Sequence, residues 1–291
     1  MDLLSQQKKL TPSLVIPKPV VVFSKVLGAI SPSLAIRLAA KIFTTPIRFK
    51  TPQRELVMES SAQKKKLTVK EIRKEIHVLS YGYSKRKVLL VHGWAGRSTQ
   101  LFSFADKLLE KGFMVISFDG PAHSKSSGKT TNMVEFLTTI KKIDQEYGPF
   151  EAAIGHSFGG MCLYNAVAKF LSINALVTIG SGDKVTNILK LFVKNLGHKE
   201  ELHPKLQSYL EKKWQVKVVD FDSSQMVKKI TIPTMIIHDT DDGDVPVRYA
   251  HEIRQNSQSG NILITHGLGH TKILRDKGIV NRTVNFIIQN T

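Results

Sequence analysis

Ser157 stands between Gly155 and Gly159 in the stretch AAIGHSFGGMCL (152–163), directly after one apolar run and directly before another. A strand that turns sharply into a helix crowds the positions two before and two after the turning residue, and glycine relieves the crowding. The serine is then held at the apex, its hydroxyl exposed, with the Phe158 N–H and a helix N-terminus beside it. Negative charge developing on a substrate there meets backbone donors and the helix dipole. Downstream, HDTDDGDVP (238–246) concentrates Asp239, Asp241, Asp242 and Asp244, and HGLGH (266–270) supplies His266 and His270. A hydroxyl, an imidazole and a carboxylate are the parts of a nucleophilic site.

Four aspartates in six positions also invite a calcium reading. The spacing departs from the EF-hand loop, because Gly243 comes one place early and Ala250 stands where the bidentate glutamate belongs. No metal and no cofactor are expected.

These residues need a scaffold that brings distant segments together. Six short runs, beginning at residues 87, 113, 151, 175, 234 and 262, are apolar almost throughout rather than alternating, as strands buried on both faces are. Helix-like segments separate them, among them 99–112, 130–148 with Thr130 or Thr131 as cap, 247–255 and 278–290. Such alternation makes an α/β fold, a mostly parallel sheet with helices on both faces. The segment EIRKEIHVLSYG (71–82) alternates and could add an antiparallel edge strand. Ligands bind such sheets at the carboxyl ends of the strands, where HGWAG (92–96), DGPAHSKSSG (119–128), Ser157, the aspartates and the two histidines all fall.

With 42% hydrophobic and 23% charged residues, the 291-residue chain can bury one large core. The lone Cys162 excludes an internal disulfide framework, and its apolar setting makes it an inert buried thiol in a reducing, cytoplasmic compartment. The net charge of +18 is uneven, since residues 1–87 hold 18 Lys/Arg against 5 Asp/Glu. No aromatic ladder or nucleic-acid motif accompanies them, which disfavours a nucleic-acid role and leaves a solvated basic face.

Val20 to Phe43 is largely apolar but interrupted by Lys25, Pro32 and Arg37, too broken for a spanning helix. A signal peptide fits poorly as well. Residues 1–66 therefore read as a basic and apolar helical extension. Its helices either dock on the main domain or, as part of residues 1–50, meet an anionic membrane surface from a peripheral position.

Taken together, GHSFG after a strand, VLLVHGWAG upstream, FDGPAHSKSSG between them, IPTMIIHDTDDGDVP downstream and GLGHTKIL near the end resemble the α/β-hydrolase superfamily in its order Ser, Asp, His. The resemblance covers about residues 70 to 290. It implies a serine hydrolase, esterase- or lipase-like, with Ser157 as nucleophile, His270 rather than His266 as base, and Asp242 as the orienting acid, with Asp241 and Asp244 as rivals. The oxyanion donors would be the main-chain amides of Trp94 and Phe158, while His92 and His156 would orient loops and pack. Two departures stand out: Asp239 occupies a position where glycine is usual, and Ala122 and Ser124 replace glycines common in their loop.

On this reading residues 67–291 form the hydrolase domain, with a helical lid inserted at about 182–231 whose Phe192 and Leu196 bind substrate. The partner is a small-molecule acyl ester or thioester. An acyltransferase on the same fold is the alternative, followed by a non-catalytic membrane- or nucleic-acid-associated protein with a relic pocket.

Overall fold

The computed structural model describes Pro12 and residues 14–291. Its strands are β1 (Gln63–Val69), β2 (Lys74–Tyr81), β3 (Lys87–Val91), β4 (Met114–Phe118), β5 (Ala152–His156), β6 (Ala175–Ile179), β7 (Thr234–Asp239) and β8 (Gly260–Thr265). Its helices are α1 (Lys18–Ile30), α2 (Pro32–Thr44), α3 (Leu56–Ser61), α4 (Phe102–Glu110), α5 (Met133–Tyr147), α6 (Phe158–Lys169), α7 (Val185–Asn195), α8 (Leu202–Trp214), α9 (Ser223–Met226), α10 (Arg248–Asn256), α11 (Gly269–Lys272) and α12 (Lys277–Gln289).

The strands join in one sheet of order β1-β2-β4-β3-β5-β6-β7-β8. From β3 to β8 every pairing is parallel, and the six apolar runs supply these strands. Their near-continuous hydrophobicity has a direct cause. Leu89, Val91 and Ala153 face a core completed by α5, α6 and α10, while Val88, Leu90 and Ile154 face another completed by α4 and α12. Both faces are dry, so both sets of side chains must be apolar.

The segment expected at the sheet edge is β2, and it lies one strand inside. The edge is β1, antiparallel to β2. Lys64, Lys65 and Lys66 are exposed there, so the strand has almost no apolar alternation to read, and its lysines discourage pairing with another chain. The cap of α5 also differs: Asn132 Oδ1 accepts the Glu135 N–H at 3.0 Å. Thr131 is buried, and its N–H is used on the Thr44 carbonyl at the end of α2.

Residues Val20 to Phe43 form two helices broken at Ser31, whose Oγ accepts from Leu34 N with Pro32 in the first turn. They pack through a third apolar cluster in which Ala39 and Ala40 of α2 meet Leu189 and Val193 of α7, Leu196 just after it, and Leu206 and Leu210 of α8. The extension thus docks mainly on α7 and α8 rather than on the sheet. Beyond it, Arg48 donates to the carbonyls of Ala122, Ser126 and Gly128, and the buried Glu55 pairs with Arg97 at 3.1 Å and accepts from Thr99 Oγ1 at 2.7 Å. These contacts tie the linker to the β3–α4 and β4–α5 loops. Among the described residues, no helix is long and apolar enough to cross a membrane.

Candidate active site

Ser157 forms the turn between β5 and α6 with φ 53° and ψ −119°. A non-glycine residue in that region stores roughly 1–3 kcal/mol of backbone strain, which the surroundings must hold. The Ser157 N–H is fixed on the Ile179 carbonyl at 2.8 Å, and its own carbonyl accepts from Gly160 N and Met161 N as α6 begins. The flanking glycines are required by close backbone approach. A Cβ on Gly155 would sit 2.7 Å from the Gly159 carbonyl oxygen, and one on Gly159 would overlap the carbonyls of Val91 and His92. Gly159→Ala is therefore expected to cost about 3 kcal/mol or more, at the upper end of overpacking, because backbone cannot yield as a side chain does; chemical denaturation will measure it.

His270, at the start of α11, points Nδ1 at Asp242 Oδ2, 2.7 Å away. Asp242 lies in the loop after β7, buried, with Oδ1 accepting the N–H groups of Asp244 and Val245 at 2.8 Å each. Burial pushes its carboxyl upward, but hydrogen bonds from His238 and His270 outweigh that and hold it well below the usual range. His270 is subject to the reverse pair of forces: burial pushes it down, and Asp242 wins and raises it above its ordinary value. The structure sets His270, and not His266, beside the carboxylate. His266 instead bonds Thr240 Oγ1 through Nδ1 at 2.8 Å.

The remaining aspartates brace the loop that carries His270. Asp239 Oδ2 accepts from Thr265 Oγ1 and Leu268 N, and Asp241 Oδ2 accepts from Gly267 N. Asp244 lines the cavity. Asp242, Asp244 and His270 bring one donor atom each within 4.8 Å of one another, the geometry a cation would need. Asp242 already uses both its oxygens in hydrogen bonds, as an acid orienting an imidazole does.

The histidines near the serine are held neutral. His92 Nε2 accepts the Gly120 N–H at 2.8 Å, which leaves its proton on Nδ1 facing the Gly93 carbonyl. His123 Nε2 accepts the Ala95 N–H at 3.1 Å, with Nδ1 facing the Pro121 carbonyl. Burial lowers them to about 4 and about 3. His156, lowered to about 3 mainly by burial, donates through Nε2 to the His270 carbonyl at 3.0 Å.

Together they set the loop that carries Trp94. Its ring meets Phe158 edge-on at 5.4 Å. Among the described residues, neither the Trp94 nor the Phe158 amide has a backbone acceptor. Ala122 and Ser124, where glycine is common, keep left-handed backbone at φ 65° and 38°. Arg48 and Glu55 carry no motif signal that would have marked them, whereas Asp119, which accepts from Ser98 N and Lys125 N, and His123 lie in the DGPAHSKSSG stretch.

Ser157, His270, Trp94 and Phe158 all border one cavity of about 940 Å³. Its walls separate the two faces of α7. Ile188, Leu191, Phe192 and Asn195 recur at i, i+3, i+4 and i+7 and face the cavity, while Leu189, Val193 and Leu196 face α2 and α8. Leu196, expected to bind substrate, is fully buried in that cluster and does not border the cavity. The extension supplies part of the wall, including Val20, Phe23, Ile42 and Phe43.

Comparison with known proteins agrees with this architecture. The family model described as the alpha/beta hydrolase fold matches residues 87–198. An esterase from Exiguobacterium antarcticum aligns with a TM-score of 0.61 at 18% identity, over 78% of this chain and all of that one. An esterase from Pyrococcus furiosus aligns at 0.64 and 16% identity, over 85% of this chain and 97% of its own. A bromoperoxidase from Bacillus anthracis aligns at 0.60 and 16%, over 78% and 100%. At these identities the likeness is one of fold. No curated protein matches by sequence. The chain has the α/β-hydrolase fold.

Proposed function

We propose that the protein is a serine hydrolase that cleaves a carboxylic ester or thioester through an acyl-enzyme. The observation that carries this reading is the meeting of Ser157, on its strained turn, with the Asp242-paired His270 at the wall of one apolar cavity. His270 Nε2 takes the proton of Ser157 Oγ as the oxygen attacks the acyl carbon. The amides of Trp94 and Phe158 hold the negative oxygen of the tetrahedral intermediate. Collapse expels the alcohol or thiol, which receives the proton from His270, and water repeats the sequence to release the acid. Asp242 keeps the His270 proton on Nδ1 and stabilises the imidazolium.

Labelling with a fluorophosphonate tests the nucleophile: a covalent adduct on the wild type that is absent from Ser157→Ala supports the reading. No adduct, together with flat rates over p-nitrophenyl esters and acyl-CoA thioesters, would sink it.

The two faces of α7 separate specificity from stability. Phe192→Ala opens the cavity and should shift chain-length preference, with little effect on an acetyl ester. Leu196→Ala removes a fully buried side chain and should cost about 2–5 kcal/mol while leaving the preference unchanged. A chain-length series alongside denaturation curves reads both; equal rate losses on short and long esters for Phe192→Ala would place that residue in packing alone.

A further inference from the structure

Helix α1 turns an apolar stripe to the outside. Val22, Phe23, Val26 and Ile30 are 61%, 59%, 54% and 75% exposed. At about 100° per residue they fall within an arc of roughly 100°. The helix cannot roll to hide them, because its inner side is fixed: buried Ser24 bonds His198 Nε2 through Oγ at 2.7 Å, and a Cβ on Gly28 would lie 2.8 Å from the His198 ring.

The charge of the extension that carries the stripe has one sign. Residues 12–50 contain six Lys/Arg and no Asp or Glu, and Lys18 and Lys25 of α1 are exposed along one edge of the stripe. A second copy of this chain seated on the same face would bring two cationic extensions together. An anionic bilayer offers the opposite charge at its headgroups and an apolar layer beneath.

The cavity comes to this face. Val15 and Phe23 border it while remaining 72% and 59% exposed, and from there Val20, Ile42 and Phe192 continue its apolar wall inward to Ser157. At about 940 Å³ it is at the upper end of the range for small-molecule sites, about 300–1,000 Å³.

We infer that the outer face of α1 seats on an anionic lipid bilayer, with Val22, Val26 and Ile30 among the acyl chains and Lys18 and Lys25 at the headgroups, so that a long-chain acyl ester enters the cavity from the leaflet beside Phe23. The docking stands on α1 itself, whereas the identity of the substrate rests on the hydrolase reading above.

The test is sedimentation of the full chain with vesicles of phosphatidylcholine and phosphatidylglycerol, and with phosphatidylcholine alone. Wild type should partition to the anionic vesicles at least about tenfold more strongly, and raising salt to about half molar should erase most of the difference, as expected for a few lysines each contributing about 1 kcal/mol. The triple variant Val22→Gln, Val26→Gln, Ile30→Gln should lose about tenfold or more of the partitioning, because apolar insertion goes, with its melting temperature and its rate on a soluble acetyl ester unchanged. Ser157→Ala should bind vesicles as wild type does.

Wild type that stays in the supernatant overturns the inference. So does a triple variant that pellets equally, or a wild-type dimer in solution that the triple variant dissolves. Vesicle binding without hydrolysis of any ester would leave the docking standing and remove the serine-hydrolase reading, so the two failures are distinguishable.

Discussion

Ser157→Ala and His270→Ala should each lower kcat on a p-nitrophenyl ester by about 10⁴-fold or more, because a nucleophile and its base act as a unit and the loss of either stops the same step. The fold should survive both. Ser157 is half-buried at the cavity wall, and its turn is held by backbone bonds to Ile179, Gly160 and Met161 that alanine retains. The melting temperature of Ser157→Ala should therefore match wild type, and the double variant should be no slower than either single one. His266→Ala is the control, since its ring is turned to Thr240. If His266→Ala abolishes turnover and His270→Ala does not, the base is misassigned.

Asp242→Asn should reduce kcat by about 10³- to 10⁴-fold, less than loss of the serine, since the nucleophile and its base remain but the proton on His270 is no longer held at Nδ1. The pH profile carries a second signature. In the proposed mechanism turnover needs neutral His270, and Asp242 raises that histidine above its ordinary value despite burial, so kcat/KM in wild type should rise with pH through a limb above about 6.5. Without the carboxylate, burial is opposed only by the charge of Asp244, and the limb should move to lower pH.

Stability follows the same charges. Asp242 has a folded value below its unfolded one, so its contribution is present above about pH 4 and is lost as pH falls through the folded value. His270 has a raised folded value, so its contribution is complete below about pH 6.5 and is lost as pH rises through the folded value. Asp242→Asn should thus flatten the pH dependence of unfolding at both ends. Equal damage from Asp241→Asn or Asp244→Asn, with no shift of the limb in Asp242→Asn, would move the acid elsewhere in the cluster.

Local pattern made the central sheet readable. The runs at β3 to β8 are apolar almost throughout because both faces of the central strands are covered, and a run with so few polar residues is visible in one dimension. The β5–α6 turn is readable for a related reason: Gly155 and Gly159 are forced by atoms within a few residues and by the adjoining strand β3. Strand β1 escaped notice because only Leu67 and Val69, near its end, pack on the core, too few to show a hydrophobic period.

By itself the sequence determined which segments form strands β2 to β8, where the chain turns at Ser157, and that His270 and the aspartates fall at strand ends at one edge of the sheet. Those properties depend on neighbours along the chain, on repeating burial and on steric exclusion at a turn. Only the tertiary structure decided that Asp242 meets His270, that Arg48 and Glu55 reach back to hold the loops around the site, and that Phe192 faces the cavity while Leu196 faces α2 and α8. Each of these depends on which of several chemically equivalent side chains packing turns toward a distant partner, and helical spacing alone does not name that partner. The same holds for α1. Its sequence is apolar nearly all round, and the bond from Ser24 to His198, with the close approach of Gly28 to that ring, settles which side is covered and which is left to the outside.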